Sequence, residues 1–411
     1  MLKELRRVPP GFAAFLVVGA AVVTMIVLSA FDSSVGRTDL SVPHKAATRA
    51  QQQVIILGQK FPKPRKQPAA PAQQAPASQA PPAPAASGVP LRKLVGQKLI
   101  ARISGTSASP EFLRRVRAGE VGGVILFPDN VGSASQLRSL TASLKAAARA
   151  GGAQGFIVSV DQEGGPVKRL PAGPPNRAPA QIATVGQSQA EGAATGNYLA
   201  GLGVNVDLAP VLDVRRPGSF VESRAFAATP AKVAELGGAF ASGLQQSGVA
   251  ATAKHFPGLG HATTNTDTSA SVVGVPRATL DADLAPFARA ATDQIGLVMM
   301  SNATYPAYAS GPAVLSPAIV QGQLRKRLGF GGVIVSDDLE AGAIQAVMPP
   351  GAAAVAASKA GVDMLLLARS ASSYPATYQA LLAAARAGQL DRAALEQSYQ
   401  RIQQLQATYA R

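Results

Sequence analysis

From residue 91 onward the chain repeats one alternation, and that alternation leaves few folds open. Eight short apolar runs recur: LIARIS (99–104), GGVILF (122–127), FIVSV (156–160), VNVDLAP (204–210), VAATAKHF (249–256), GLVMMS (296–301), GGVIVS (331–336) and DMLLLA (363–368). Between them lie stretches of helix length, such as SASQLRSLTASLKAAARA and TPAKVAELGGAFASGLQQSG. Runs that are apolar almost throughout suit strands covered on both faces, which means a parallel sheet with helical crossovers. Eight such units in about 320 residues predict a closed (β/α)8 barrel, TIM-like, over residues 90–411, rather than an open sheet.

The first 89 residues do not follow this pattern. Residues 1–11 are short and basic, and residues 12–31 (FAAFLVVGAAVVTMIVLSAF) contain no charge. Twenty helical residues span about 30 Å, the thickness of a bilayer core. A cleaved secretory signal has an apolar region of about 7–15 residues and a small-x-small cleavage site; this run is longer, and no clean A-x-A follows it. Residues 1–31 therefore predict a cytoplasmic basic flank and a transmembrane signal anchor, with secretion after cleavage as the alternative. In both cases the basic flank stays inside and the rest is exported, so the barrel is expected outside the cytoplasm, at the cell membrane. Residues 32–89 end in PAAPAQQAPASQAPPAPAASGV, which is too poor in large apolar residues to fold and rich in prolines that favour extended segments. They are expected to form a disordered linker between membrane and barrel.

Composition narrows the chemistry. There is no cysteine, which excludes disulfides, thiolate metal sites, a cysteine nucleophile and a lipid-modified cysteine. Three histidines, His44, His255 and His261, leave no basis for a multi-histidine metal centre. No cofactor or metal is expected. Of the net charge of +16, residues 1–89 contribute ten basic and three acidic side chains, hence +7. The remaining +9 is spread along the barrel without a basic run or interleaved aromatics, which argues against nucleic acid as a partner.

The polar residues stand where a barrel uses them. Several apolar runs lead into a polar cluster: Asp161 and Glu163 after FIVSV, Lys254 and His255 within VAATAKHF, Ser301 and Asn302 after GLVMM, and Ser336, Asp337 and Asp338 after GGVIV. A single Asp there is a common helix cap. Four clusters at the same end of successive strands predict a polar pocket at the C-terminal face, where barrels place their chemistry.

The runs GEVGGVILFPDN, VSVDQEGGPVKRL, LGVNVDLAPVLDV, AATAKHFPGLG and LGFGGVIVSDDLEAGAI, in this order, resemble glycoside hydrolase family 3, and KHFPG together with SDDL is a specific pairing. The resemblance covers nearly all of residues 91–411 and is strongest to the single-domain β-N-acetylglucosaminidases of the NagZ type. It implies a (β/α)8-like barrel, metal-free retaining hydrolysis, and release of terminal β-linked N-acetylglucosamine from peptidoglycan fragments or related envelope glycans by a monomer. It places the nucleophile on Asp337, while Asp338 suits a helix cap. It assigns sugar contacts to Asp161, Arg169, Arg224, Lys254 and His255, and leaves Glu163 without an assigned role. Pro166 stands where the family commonly has an arginine.

The general acid departs from the pattern. The resemblance implies an Asp-Ser-His segment in the loop after KHFPG, but here the loop reads KHFPGLGHATTNTDTSASVV. Without a gap, Asn265 and Asp267 fall on the Asp and His positions; with a two-residue shift, Asp267 and Ser269 do. Three readings stay open. Asp267 is itself the acid/base; His261 swings in, oriented by Asp267; or the acid is absent. The last would make the barrel an envelope sugar-binding or scaffold protein. A β-glycosidase of other sugar specificity is a further alternative.

Overall fold

The structure is a computed structural model that describes residues 88–410. The apolar run of residues 12–31 and the linker up to residue 87 lie outside the described residues. Among the described residues no helix is long and apolar enough to cross a membrane.

Eight strands form a closed parallel barrel: β1 (Leu99–Arg102), β2 (Gly123–Leu126), β3 (Ile157–Val160), β4 (Val206–Asp207), β5 (Ala250–Phe256), β6 (Leu297–Met300), β7 (Val333–Asp338) and β8 (Met364–Leu367). Each lies on one of the eight apolar runs. Neighbours in sequence pair in parallel, and β8 closes the circle on β1 through Leu99 with Leu365 and Ile100 with Leu366. The weakest match is VNVDLAP, of which only two residues are strand. Pro210 has no N–H to give to a ladder, so pairing with β5 continues irregularly, through Thr252 N to Ala209 O at 2.8 Å and Leu212 N to Lys254 O at 2.6 Å.

The crossover helices begin where local chemistry favours them. Ser133 caps Ala134–Ala150 by accepting from Gln136 N, and the Gln136 side chain reaches back to Ser133 N, a reciprocal capping box. Inside the barrel, Ile100, Ile125, Ile157, Val206, Leu297, Val333 and Met364 make an apolar floor. Ile402 and Leu405 of the last helix, Arg392–Tyr409, join the same cluster, so that helix closes the N-terminal mouth. Each such side chain, fully buried, contributes about 1.5–3 kcal/mol.

An ion cluster pins this closure. Asp363, fully buried just before β8, accepts from Arg401 on the last helix at 2.8 Å and from Arg325 at 2.5 Å. Lys98, just before β1, donates to Val362 O and to Ser398 on the last helix. Burial lowers the Lys98 ammonium to about 8, although Asp363 opposes the shift. With the N-terminal end filled, the opening of the barrel lies at the C-terminal ends of the strands. The period of two along a strand carries the inward face from Ala250 and Thr252 to Lys254, and from Val333 and Val335 to Asp337.

Candidate active site

A cavity of about 280 Å³ occupies that opening. Asp161, Glu163, Arg169, Arg224, Lys254, His255, Asp267 and Asp337 all line it.

Its floor is an alternating charge network. Lys254 Nζ lies 2.7 Å from Asp161 Oδ1 and 2.6 Å from Glu163 Oε1. Arg224 grips Glu163 with two hydrogen bonds, Nε to Oε2 at 2.8 Å and Nη2 to Oε1 at 2.7 Å. Glu163 is presented by a short antiparallel ribbon, Gln162–Gly164 with Val167–Lys168, that follows β3. Burial by itself would raise the Glu163 carboxyl, but Arg224 and Lys254 outweigh it and hold the group at about 2. Burial likewise works to lower the Lys254 ammonium, and the two carboxylates more than reverse it, so its pKa is raised. Glu163 therefore keeps both cations charged and fixed, and Asp161 receives Lys254 on Oδ1. Buried ionised groups persist only when paired in this way.

Arg169 sits at the rim with its guanidinium 5.4 Å from the centre of the Phe127 ring. Its Nε, buried and 4.0 Å from Asp161 Oδ2, has no hydrogen-bond partner in the protein.

His255 is oriented from behind. Its Nδ1 lies 2.7 Å from Oδ2 of the fully buried Asp213, whose other oxygen accepts the backbone N–H groups of His255 and Leu259. Asp213 thereby engages Nδ1, and Nε2 is the ring atom that faces Arg224, 3.5 Å from its Nη2.

Asp337, half-buried at the end of β7, receives the Asp338 N–H on Oδ1 at 2.8 Å. Burial raises its pKa, His255 draws it down, and the Asp267 carboxylate pushes it up again, with a net rise. The neighbouring Asp338 shapes the turn: its Oδ1 accepts from Glu340 N and Ala368 N, both at 3.0 Å. Burial pushes Asp338 to about 7 against those two donors.

Seven of the eight candidate residues thus meet in one cavity, and His261 does not. Its Nε2 lies 3.0 Å from Asp283 Oδ2 and 3.3 Å from Arg216 Nε, and Arg216 also pairs with Asp283 at 2.9 Å. This cluster packs His261 against the helix Arg277–Asp283, away from the cavity that Asp267 lines. Asp267 is exposed and lines the cavity, whereas Ser269 is not among its lining residues. Sequence reasoning left Glu163 unassigned and missed Asp213 and Arg369, which also lines the cavity. Asp213 is the last but one residue of the LGVNVDLAPVLDV run, a visible signal, but its partner is 42 residues away and only the barrel joins them.

Comparison with known proteins agrees with this geometry. Residues 95–405 match the model of the glycosyl hydrolase family 3 N-terminal domain. A protein named Uncharacterized secreted glycosyl hydrolase from Arthroderma benhamiae is 34% identical over 342 residues, which cover 78% of this chain and 95% of that one. A Beta-hexosaminidase from Pseudomonas aeruginosa is 35% identical over 285 residues, covering 67% of this chain and 83% of the relative. Among solved structures, a family 3 beta-N-acetylglucosaminidase from Paenibacillus superposes with a TM-score of 0.75 at 33% identity, covering 78% of this chain. The present chain spans only 63% of the Paenibacillus chain. Beta-N-acetylhexosaminidase from Beutenbergia cavernae gives 0.70 at 32% identity, over 76% of this chain and 97% of that one. A barrel mouth that gathers the KHFPG and SDDL residues into one charged cavity, and a family model matched from residue 95 to residue 405, place this chain in glycosyl hydrolase family 3.

Proposed function

We propose that the barrel is a retaining, exo-acting β-N-acetylhexosaminidase that releases terminal β-linked N-acetylglucosamine from peptidoglycan fragments or related envelope glycans. The observation that carries this reading is the shared cavity: Asp337 and Asp267 line it together, over a floor of Lys254, Asp161, Arg224 and His255. The names of the Pseudomonas and Paenibacillus relatives support the choice of sugar. A cavity of about 280 Å³ suits one sugar residue rather than a chain, which favours exo-action.

In this reading the floor holds the hydroxyls of the non-reducing sugar by charge-assisted hydrogen bonds from Lys254, Arg224 and Arg169 and to Asp161. The Asp337 carboxylate attacks the anomeric carbon as the glycosidic C–O bond breaks, and the leaving oxygen takes a proton from the Asp267 carboxyl. Water then gives a proton to the Asp267 carboxylate and attacks the same carbon, which frees Asp337. Asp267 is preferred to His261 because it faces the cavity and His261 is engaged by Asp283 and Arg216. Residues 12–31 would hold the domain at the outer side of the membrane, with a secreted form as the alternative.

The absence of a histidine at the Asp-Ser-His position of the Asp267 loop is the one observation that favours a second reading, a sugar-binding barrel without turnover. Incubating the purified full chain with an aryl β-N-acetylglucosaminide, with Asp337→Asn as control, separates the two. Release that depends on Asp337 supports the enzyme; saturable sugar binding without release at high protein concentration overturns it.

A further inference from the structure

The loop that bears Asp267 is tied down from outside. Within it, Asn265 Oδ1 accepts from Asp267 N at 2.9 Å, and Asn265 O accepts from Thr268 N and Ser269 N at 3.2 Å each, so residues 265–269 form one compact turn. The turn docks on the segment that follows the β7 carboxylates: Gly342 N donates to Asp267 O at 2.9 Å, and Ala343 N to Thr266 O at 3.0 Å. A Cβ at Gly342 would collide with the Thr268 carbonyl, so this approach requires glycine.

A third tether comes from the end of β8. Arg369 Nη2 donates to the Asp267 carbonyl at 2.6 Å. The backbone of Arg369 is itself fixed, because its N–H and that of Ser370 both donate to Oε2 of the buried Glu340, at 3.0 and 3.1 Å. Glu340 lies three residues beyond Asp337. A closed path therefore runs from the Asp337 strand through Glu340 and Arg369 to Asp267.

We infer that Arg369 is a positioning residue, whose guanidinium fixes where the Asp267 carboxyl stands relative to Asp337. The inference rests on the proposed role of Asp267 as acid/base. An exposed carboxylate on a polar loop has no packing to hold it, and the side chain of Asn265 is already engaged by the backbone of its own turn. Fixing the Asp267 carbonyl with two donors removes most of that freedom. Proton transfer needs a reach of about 2.6–3.2 Å, and a displacement of about 1 Å costs on the order of 10²-fold. Arg369 touches the backbone of the acid and acts through it.

The test uses the full chain and two aryl β-N-acetylglucosaminides, one with a leaving group that needs protonation (phenyl) and one that does not (dinitrophenyl). Arg369→Ala is expected to lower kcat/KM on the phenyl glycoside roughly 10–100-fold and on the dinitrophenyl glycoside less than about 3-fold. Inhibition by free N-acetylglucosamine should stay unchanged, and Arg369→Lys should recover part of the loss. Gly342→Ala, which displaces the turn from its other side, should reproduce the same split. Equal loss on both substrates, or no loss on either while Asp267→Ala retains its leaving-group sensitivity, overturns the positioning role. If Asp267→Ala itself shows no such sensitivity, the acid/base reading falls first, and the inference falls with it. Should Arg369→Ala fail to fold, Arg369→Lys and Gly342→Ala decide the matter.

Discussion

Asp213 Oδ2 stands 2.7 Å from His255 Nδ1, and its other oxygen takes the N–H of Leu259 at 2.6 Å and that of His255 at 3.2 Å. One buried carboxylate thus fixes the imidazole, the peptide that carries it and the start of the loop leading to Asp267. Buried and fully engaged, it leaves His255 Nε2 as the ring atom directed to the cavity.

Replacing Asp213 by Asn keeps the volume and removes the charge-assisted partner. Because an amide carries no charge and can present a donor to Nδ1, the imidazole is expected to lose its fixed orientation. Steady-state kinetics should show kcat/KM reduced roughly 10–100-fold, comparable with losing the outer partner of an oriented histidine. An unchanged kcat/KM would remove Asp213 from the orienting role.

Asp337→Asn should reduce turnover of an activated aryl glycoside on the order of 10³-fold or more, with the fold intact by circular dichroism. A 5-fluoro N-acetylglucosaminyl fluoride should label Asp337 in the wild-type chain, located by peptide mass spectrometry. Retention of anomeric configuration, read by proton NMR in the first minutes, accompanies a glycosyl-enzyme; inversion would eliminate it.

Because burial and the Asp267 charge raise the Asp337 pKa, ionised nucleophile is lost at higher pH than for an ordinary carboxylate. The acidic limb of kcat/KM against pH should accordingly lie above the usual carboxylate range. Removing one negative neighbour with Asp267→Asn should move that limb down. A limb that stays in place would show that Asp267 exerts no field on Asp337.

Glu163 is held at about 2 in the folded chain, below its ordinary value of 4.5. A depressed carboxyl adds stability that is fully present above the unfolded value and is lost as pH falls through the folded one. Denaturant titrations should therefore show this contribution fading between about pH 4.5 and 2. Glu163→Gln should lack it and lose about 3–5 kcal/mol at neutral pH, since Arg224 and Lys254 would remain buried without their shared partner.

At the opposite end of the barrel, Asp363→Ala should cost about 3–5 kcal/mol by removing the carboxylate that Arg325 and Arg401 share. The change lies beneath the floor of the barrel, so kcat on an aryl glycoside at a temperature well below melting should stay within about 3-fold. A variant as stable as wild type would mean the cluster is solvated rather than structural.

The barrel was legible because its signal is local and repeated. Eight near-continuous apolar runs at regular spacing have one economical arrangement, and period-two alternation then dictates that Lys254 and Asp337 point into the mouth. VNVDLAP misled only in length, since Pro210 breaks the ladder just after Asp207. The family motifs gathered as a set because each ends a different strand of the same closed sheet. Asp267 and His261 could not be ranked in the same way. They share one loop, six residues apart, and no periodicity tells which of them turns inward.

The sequence by itself determined the barrel, the face that carries chemistry and the strand-end charges gathered there, Asp161, Lys254, His255 and Asp337. Hydrophobic period and strand-end position are properties of adjacent residues, so they survive without coordinates. Tertiary structure decided which charges pair with which: Glu163 between Lys254 and Arg224, Asp213 behind His255, His261 drawn away by Asp283 and Arg216, and Asp267 held by Gly342 and Arg369. Those pairings join residues dozens of positions apart, and their energies depend on distances and burial that exist only once the barrel has closed.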